Sequence, residues 1–422
     1  MFSIFSRPAA LSACLVFILF GTAAAYAAPS DDTARTAALA QFVERALAAN
    51  PRVQAAAAAA DAEAARSQGA SRPLFNPGLE LEYENSDIDL TTLELSQTLD
   101  WHDKRSARKS AADAGLEAAR AGLQSLREQL TGEILTALAD LDRASRLRNL
   151  AAERVELLKR FVSLHQRRAA AGDIGQTELQ LAHLALAEAR LQYADAATEA
   201  VESRTALSRL TGAVPASPLA FPAVIPTPSL EPGGTEGMAA NHPAVREARL
   251  HALAAERRIR MSDLDRRADP TIGIKGGRED RETLIGLRLE IPLQVRNDYS
   301  EQVDAARAEA LKAEREAQDT FRNVLSQLEG AHRRLVLTRE SLTQWRSQGQ
   351  PSLKGYASLL EKLWKAGEVG TTEYLVQLRQ ALDTRVAGEA LQGKAWLAWA
   401  DWLSAAGRVQ KWLGIRTVGG AQ

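Results

Sequence analysis

Two spacings of apolar residues alternate along the chain. From Thr33 to Gln68, Leu39, Phe42, Val43, Ala46 and Leu47 make one stripe at helical spacing, and Asn50-Pro51 marks a break before an alanine run to Ala65. After Arg72-Pro73-Leu74-Phe75-Asn76-Pro77 the period becomes two. Leu79, Leu81 and Tyr83 alternate with Glu80, Glu82 and Glu84, and beyond a turn Leu93, Leu95 and Leu99 alternate with Glu94, Ser96 and Thr98. This predicts a β-hairpin with strands near 78–84 and 91–99, each with one apolar and one polar face. The helical period returns at Asp103 and holds to Ala170 without a proline, through Leu123, Leu126, Leu130, Ile134, Leu138, Leu150, Leu158 and Phe161. At ~1.5 Å per residue this is a rod of about 100 Å, longer than a compact domain and suited to a coiled-coil wall. A return helix is predicted from Glu178 to Leu210.

The order then repeats. Residues 213–241 are predicted to form an extended linker rich in proline and glycine. His242-Pro243-Ala244-Val245 answers Asn50-Pro51-Arg52-Val53 and opens a helix to about Ala268. Ile272 and Ile274, then Ile285, Leu287, Leu289 and Ile291, predict strands near 271–277 and 284–291, with Lys275, Arg288 and Glu290 on the polar face. A second rod runs from Asn297 to Ala366, and a return helix to Ala406. The repeat shows most plainly at the rod ends. Ala171-Gly172-Asp173-Ile174-Gly175-Gln176-Thr177-Glu178 returns as Ala366-Gly367-Glu368-Val369-Gly370-Thr371-Thr372-Glu373, and Gly212 matches Gly407 at the same offset. Each copy reads as the tip of a helical hairpin, with glycines to end one helix and a Thr to cap the next. The organisation is a first repeat over 28–212, a linker over 213–241, a second repeat over 242–407 and a tail over 408–422.

Composition narrows the class. The 422 residues carry a net charge of −1, which lacks the basic excess of a nucleic-acid surface. Residues 1–27 have the parts of a secretory signal: Arg7, an apolar stretch from Ala9 to Phe20, and Ala25-Tyr26-Ala27 before the cut. Leu11-Ser12-Ala13-Cys14 also fits a lipobox, but the apolar run continues past Cys14. Cys14 is the one cysteine, so the exported chain would have no disulfide or thiolate metal site. Beyond the leader no run approaches the ~20 apolar residues of a spanning helix, so any membrane segment must be strands. The six histidines show no metal-ligand spacing, and no catalytic constellation or cofactor motif is present. Trp396, Trp399 and Trp402 step by three and align with the end of the first return helix, which favours core packing over a membrane belt. Tyr83 and Trp101 at strand ends suit a membrane interface.

Helix, hairpin, long helix, glycine-rich tip and return helix, all repeated once, resemble the TolC-type outer-membrane efflux channels. Ala171-Gly172-Asp173-Ile174, Pro292-Leu293-Gln294 and Arg296-Asn297 look most like the CzcC-like, heavy-metal branch of that family. The resemblance implies a mostly α fold with a small β part: a homotrimer whose four strands per protomer close a twelve-stranded barrel in outer-membrane lipid, continued by a periplasmic helical tunnel. It implies that the tips (Gly172, Asp173, Ile174, Gly175, Thr177; Gly367, Glu368, Val369, Gly370, Thr372) dock a periplasmic adaptor serving an inner-membrane pump of the resistance-nodulation-division type. Glu80, Glu82, Glu84, Glu94, Lys275, Arg288 and Glu290 would line the lumen. Relatives close the tip end with acidic rings, but here Val376 and Arg379 stand where aspartates are expected. Glu178 and Glu373 are the nearest acids, so Glu178, Glu373 and Arg379 are the candidate gate. Two rival readings remain: a type I protein-secretion channel, and a periplasmic coiled-coil scaffold without a pore.

Overall fold

The computed structural model describes residues 31–85, 87, 89–216, 218–229 and 233–415. The expected signal peptide and Cys14 lie outside them, as do residues 416–422 of the tail. Helices α1 (Asp31–Ala49) and α2 (Pro51–Ala70) meet at the predicted break, where Asn50 accepts a hydrogen bond from Arg52 N–H and Pro51 sets the first turn. A hairpin follows, β1 (Gly78–Glu84) and β2 (Leu90–Thr98), then α3 (Lys104–Ala170), 67 residues without interruption. After the first tip α4 (Gln176–Thr211) runs back. The linker is not wholly extended: α5 (Gly234–Ala240) forms inside it, where the prolines stop and Thr235-Glu236-Gly237-Met238-Ala239-Ala240 can close a turn. Then come α6 (Pro243–Asp265), β3 (Thr271–Glu279), β4 (Glu282–Glu290), α7 (Ser300–Gln344), α8 (Gln350–Ala366), α9 (Thr371–Ala405) and the short α10 (Val409–Leu413).

The second rod differs from its expected form. It is not continuous, because residues Trp345–Gly349 form a π-turn between α7 and α8. Pro351 lacks an N–H for the α-helical ladder, and the Trp345 indole lies over Gly388 of α9, where a Cβ would overlap it. The second hairpin is also longer than expected, since Arg278 and Glu279 pair with Thr283 and Glu282 around a tight turn at Asp280-Arg281.

The four strands form one antiparallel sheet in the order β1-β2-β3-β4, so β2 and β3 join the two repeats. The pairing puts Leu79, Leu95, Ile274 and Leu287 in one row and Leu81, Leu93, Gly276 and Ile285 in the next. Their side chains share one face and are exposed, Leu287 by 87% and Ile285 by 81%. Below the sheet, Ala107, Ala111, Ala114, Ala118 and Ala121 of α3 are buried at helical spacing, which lets α2 and α6 approach closely. One core lies midway along the rods, where Leu130–Leu138 of α3, Leu328 and Leu335 of α7, and Trp396, Trp399 and Trp402 of α9 meet α1. A smaller core near the tips gathers Val155, Leu158, Phe161, Ala182, Leu186, Leu360 and Tyr374.

Candidate functional site

The two tips have one geometry. In the first, Gly172 is left-handed (φ 80°), its N–H donates to Ala169 O (3.0 Å) and Asp173 N–H donates to Arg168 O (2.9 Å). In the second, Gly367 is left-handed (φ 79°), donating to Trp364 O (3.0 Å), while Glu368 N–H reaches Leu363 O (3.0 Å). Both are Schellman ends, which satisfy carbonyls that a helix terminus leaves open. The expected threonine caps are not formed. Gly175 and Gly370 occupy the N-cap positions and make no side-chain cap bond, and Thr177 and Thr372 are the second residues of their helices, exposed. A glycine N-cap is nearly as favourable as Ser or Thr, so the hydroxyls are not needed. Ile174 and Val369 are half-buried, and the remaining tip residues, Gly172, Asp173, Gly175, Gly367, Glu368 and Gly370, are exposed.

The candidate gate residues play different parts. Glu178 and Glu373 stand in the first turns of α4 and α9, where the helix dipole favours a carboxylate. Glu373 accepts from Gln377 Nε2 (2.8 Å), and Gln377 in turn accepts from the Tyr356 hydroxyl (2.7 Å). Arg379 ties the hairpins together: it contacts Glu188 of α4 at 2.9 Å and Asp383 at 3.9 Å. Asp383 also accepts from the buried Arg154 of α3 (2.7 Å), and Arg385 pairs with Glu153 (3.0 Å). These bonds make an ionic ladder across α3, α4 and α9. Behind the tips, Phe161 and His165 of α3 stack at 4.0 Å, and Trp364 and Tyr374 of the second hairpin stack at 4.6 Å against them. His165 is fully buried, with Nδ1 at 3.0 Å from Phe161 O and Nε2 at 3.4 Å from the Thr371 hydroxyl. Burial, with Glu361 nearby, holds the Tyr374 phenol above its ordinary range. The ladder and the stack were missed from sequence. Arg154 and Asp383 are 229 residues apart, and nothing in a single chain marks such a pair.

On the sheet, Glu80, Glu82, Glu84, Glu94, Lys275, Arg288 and Glu290 all share the face opposite the exposed leucines and isoleucines. Lys275 Nζ bonds Glu82 (2.8 Å), and Arg288 bridges Glu94 (3.3 Å) and Glu290 (2.8 Å). The glycines of β3 have a purpose here. A Cβ at Gly273 would crowd the Glu94 carboxylate and one at Gly277 would run into β2, so both give room on the charged face. With Glu279 and Glu282 at the hairpin end, that face carries many more acids than bases. Tyr83 and Trp101 are both exposed, as an interface anchor requires, whereas Trp396, Trp399 and Trp402 are buried in the mid-rod core.

The sheet meets the rods at a buried ion pair. Lys104, the first residue of α3, places Nζ 2.9 Å from Asp269 at the end of the α6–β3 connection and 3.5 Å from Asp265 O. The pair links the repeats where strands become helices. Among the described residues no group of His, Cys, Asp or Glu could hold a metal ion, and no helix is long and apolar enough to cross a membrane.

Residues 42–213 match the family model described as outer membrane efflux protein. No curated protein matches the sequence. Several solved structures share the fold. VceC, an outer membrane protein of Vibrio cholerae, is 19% identical, with a TM-score of 0.71 over 88% of this chain and 96% of that one. The CmeC outer membrane channel of Campylobacter jejuni is 17% identical, with a TM-score of 0.71 over 87% and 85%. The MtrE outer membrane channel of Neisseria gonorrhoeae, solved in an open state, is 15% identical, with a TM-score of 0.70 over 87% and 88%. By its residues 42–213 the chain matches the outer membrane efflux proteins, transport ducts rather than enzymes, and over nearly nine-tenths of its length it has the fold of solved outer-membrane channels.

Proposed function

We propose that this chain is the outer-membrane duct of a tripartite efflux system, working as a homotrimer with a periplasmic adaptor and an inner-membrane pump of the resistance-nodulation-division type. The observation that carries the reading is the sheet. Four strands cannot close a barrel, and both edge strands, β1 and β4, have free backbone groups along one side. One face is exposed and apolar, the other charged. Lipid tolerates no open edge, so a sheet of this kind needs copies of itself, and a closed ring of about twelve strands leaves a water-filled lumen. The acidic excess on the inward face supports a cationic cargo, which fits the CzcC-like resemblance and export of metal ions or small toxic cations. The Gly172 and Gly367 tips, farthest along the rods from the sheet, are the docking end for the adaptor. Glu178, Glu373 and Arg379 take part in closing it, Arg379 through the ladder that holds the second hairpin against the first. Transport is passive, with energy and most selectivity supplied by the pump. Export would use the signal in residues 1–27. The exposed apolar face opposes a soluble scaffold, which would leave it in water.

Membrane fractionation with native mass determination tests this reading. Recovery as a detergent-extracted trimer from the outer membrane is expected. A soluble periplasmic monomer would overturn it.

A further inference from the structure

The same device starts α2 in the first repeat and α6 in the second, built from a different residue. In the first, Asn50 precedes Pro51. Its Oδ1 accepts from Arg52 N–H (2.9 Å) and its Nδ2 donates to Leu210 O (3.0 Å), the last residue but one of α4. In the second, His242 precedes Pro243. Its Nδ1 accepts from Ala244 N–H (3.1 Å) and its Nε2 donates to Ser404 O (3.2 Å), the last residue but one of α9. Each side chain caps one helix and tethers it to the end of the return helix. Gly407, left-handed at φ 63°, packs on Pro243 and the imidazole, where a Cβ would collide with the proline ring. The two bonds fix the neutral imidazole with its proton on Nε2. A second proton has one place to go, Nδ1, which faces the Ala244 N–H donor.

We propose that His242 is an acid-sensitive joint: protonation breaks its cap on α6 and loosens the tie between α6 and the end of α9, while Asn50 holds the first repeat together at any pH. The device holds whether or not the trimer conducts. Burial lowers the His242 proton affinity, with the Ser404 carbonyl opposing, so the folded state favours the neutral ring. The contribution is therefore intact above the unfolded value near ~6.5 and is lost as pH falls below it. The charged groups of the groove around the ring are Glu128, Glu133 and Asp140 of α3, Arg334 of α7 and Asp401 of α9, with Arg246 on α6 itself. Burial pushes the Glu128 and Asp401 carboxyls up, so acid relieves them and their pH dependence runs the opposite way. Both are shared by the wild type and the variants below, so a difference between these isolates His242.

The test is hydrogen exchange by mass spectrometry on the full chain in detergent, between pH 8 and pH 5, corrected for intrinsic rates. In the wild type the opening constant of the amides at the start of α6 should rise by up to about thirtyfold over this range, while those at the start of α2 stay level. His242→Asn, which installs the first repeat's residue, should remove the rise. Asn50→His should create one at the start of α2, a gain that general unfolding would not confine there. An unchanged pH response in His242→Asn, or none in the wild type, would overturn the proposal.

Discussion

The two long hairpins come from one duplicated pattern and differ in how they are held. The first is anchored along its length: α3 runs unbroken for 67 residues and buries side chains from Ala107 to His165. The second is jointed: α7 stops at a π-turn, and the following α8 buries only Leu360. At the joint, Trp345 wedges between Gly349 of its own strand of the rod and Gly388 of α9. Beyond it, α8 and the start of α9 are held to the first hairpin by the Phe161–His165–Trp364–Tyr374 stack and the Arg154–Asp383–Arg379–Glu188 ladder. Duplication thus supplied the topology, and later, unmatched side chains decided which copy is a wall and which is an arm fastened by specific contacts. Segments that move are expected where few residues are buried, and α8, in which Leu360 alone is buried, meets that description.

The largest effect is expected where the repeats are tied most deeply. Asp269→Ala leaves the Lys104 ammonium buried without its carboxylate and should cost about 3–5 kcal/mol in thermal or denaturant unfolding. Loss of under 1 kcal/mol would show that the junction does not depend on the pair. Next, Gly388→Ala should force Trp345 from its seat, at about 1–3 kcal/mol, and raise amide exchange in α8 before α3. Uniform loosening of both hairpins would contradict the joint. Arg154→Ala combined with Asp383→Ala should cost less than the sum of the single changes by about 0.5–3 kcal/mol, since the two sides touch, and Asp383→Ala alone should lengthen open times of the pore. At the tips, Gly367→Ala should cost about 1–2 kcal/mol through its left-handed backbone, whereas Thr372→Ala should change stability by less than about 0.5 kcal/mol. A larger threonine effect would show that the hydroxyl caps the helix after all.

The legible parts of this molecule were the periodic ones. Alternation at Leu79–Tyr83 and Ile285–Leu289 placed the strands and sorted their faces, and the repeated Ala-Gly-acidic stretch found both tips. What stayed hidden depends on partners far apart in sequence or on local competition. The Trp345 π-turn arises from packing against Gly388, so a continuous apolar stripe at 321–345 gave no sign of it. The threonine cap failed because glycine already filled the N-cap. Arg379 was singled out for departing from an acidic pattern, and its bonds to Glu188 and Asp383 give that departure a structural role: it fastens rather than repels. The histidine at 242 showed no metal-ligand spacing and read as a surface or helix histidine until its two bonds could be compared with those of Asn50.

The central claim is a pore made from copies of this chain, and single-channel recording in a planar bilayer addresses it most directly. Protein purified from the outer membrane should insert and give discrete conductance steps, with a reversal potential under a salt gradient that favours cations and shifts toward zero when Glu80, Glu82 and Glu84 are made glutamine. A bilayer that stays silent with correctly folded, membrane-extracted protein would contradict the account.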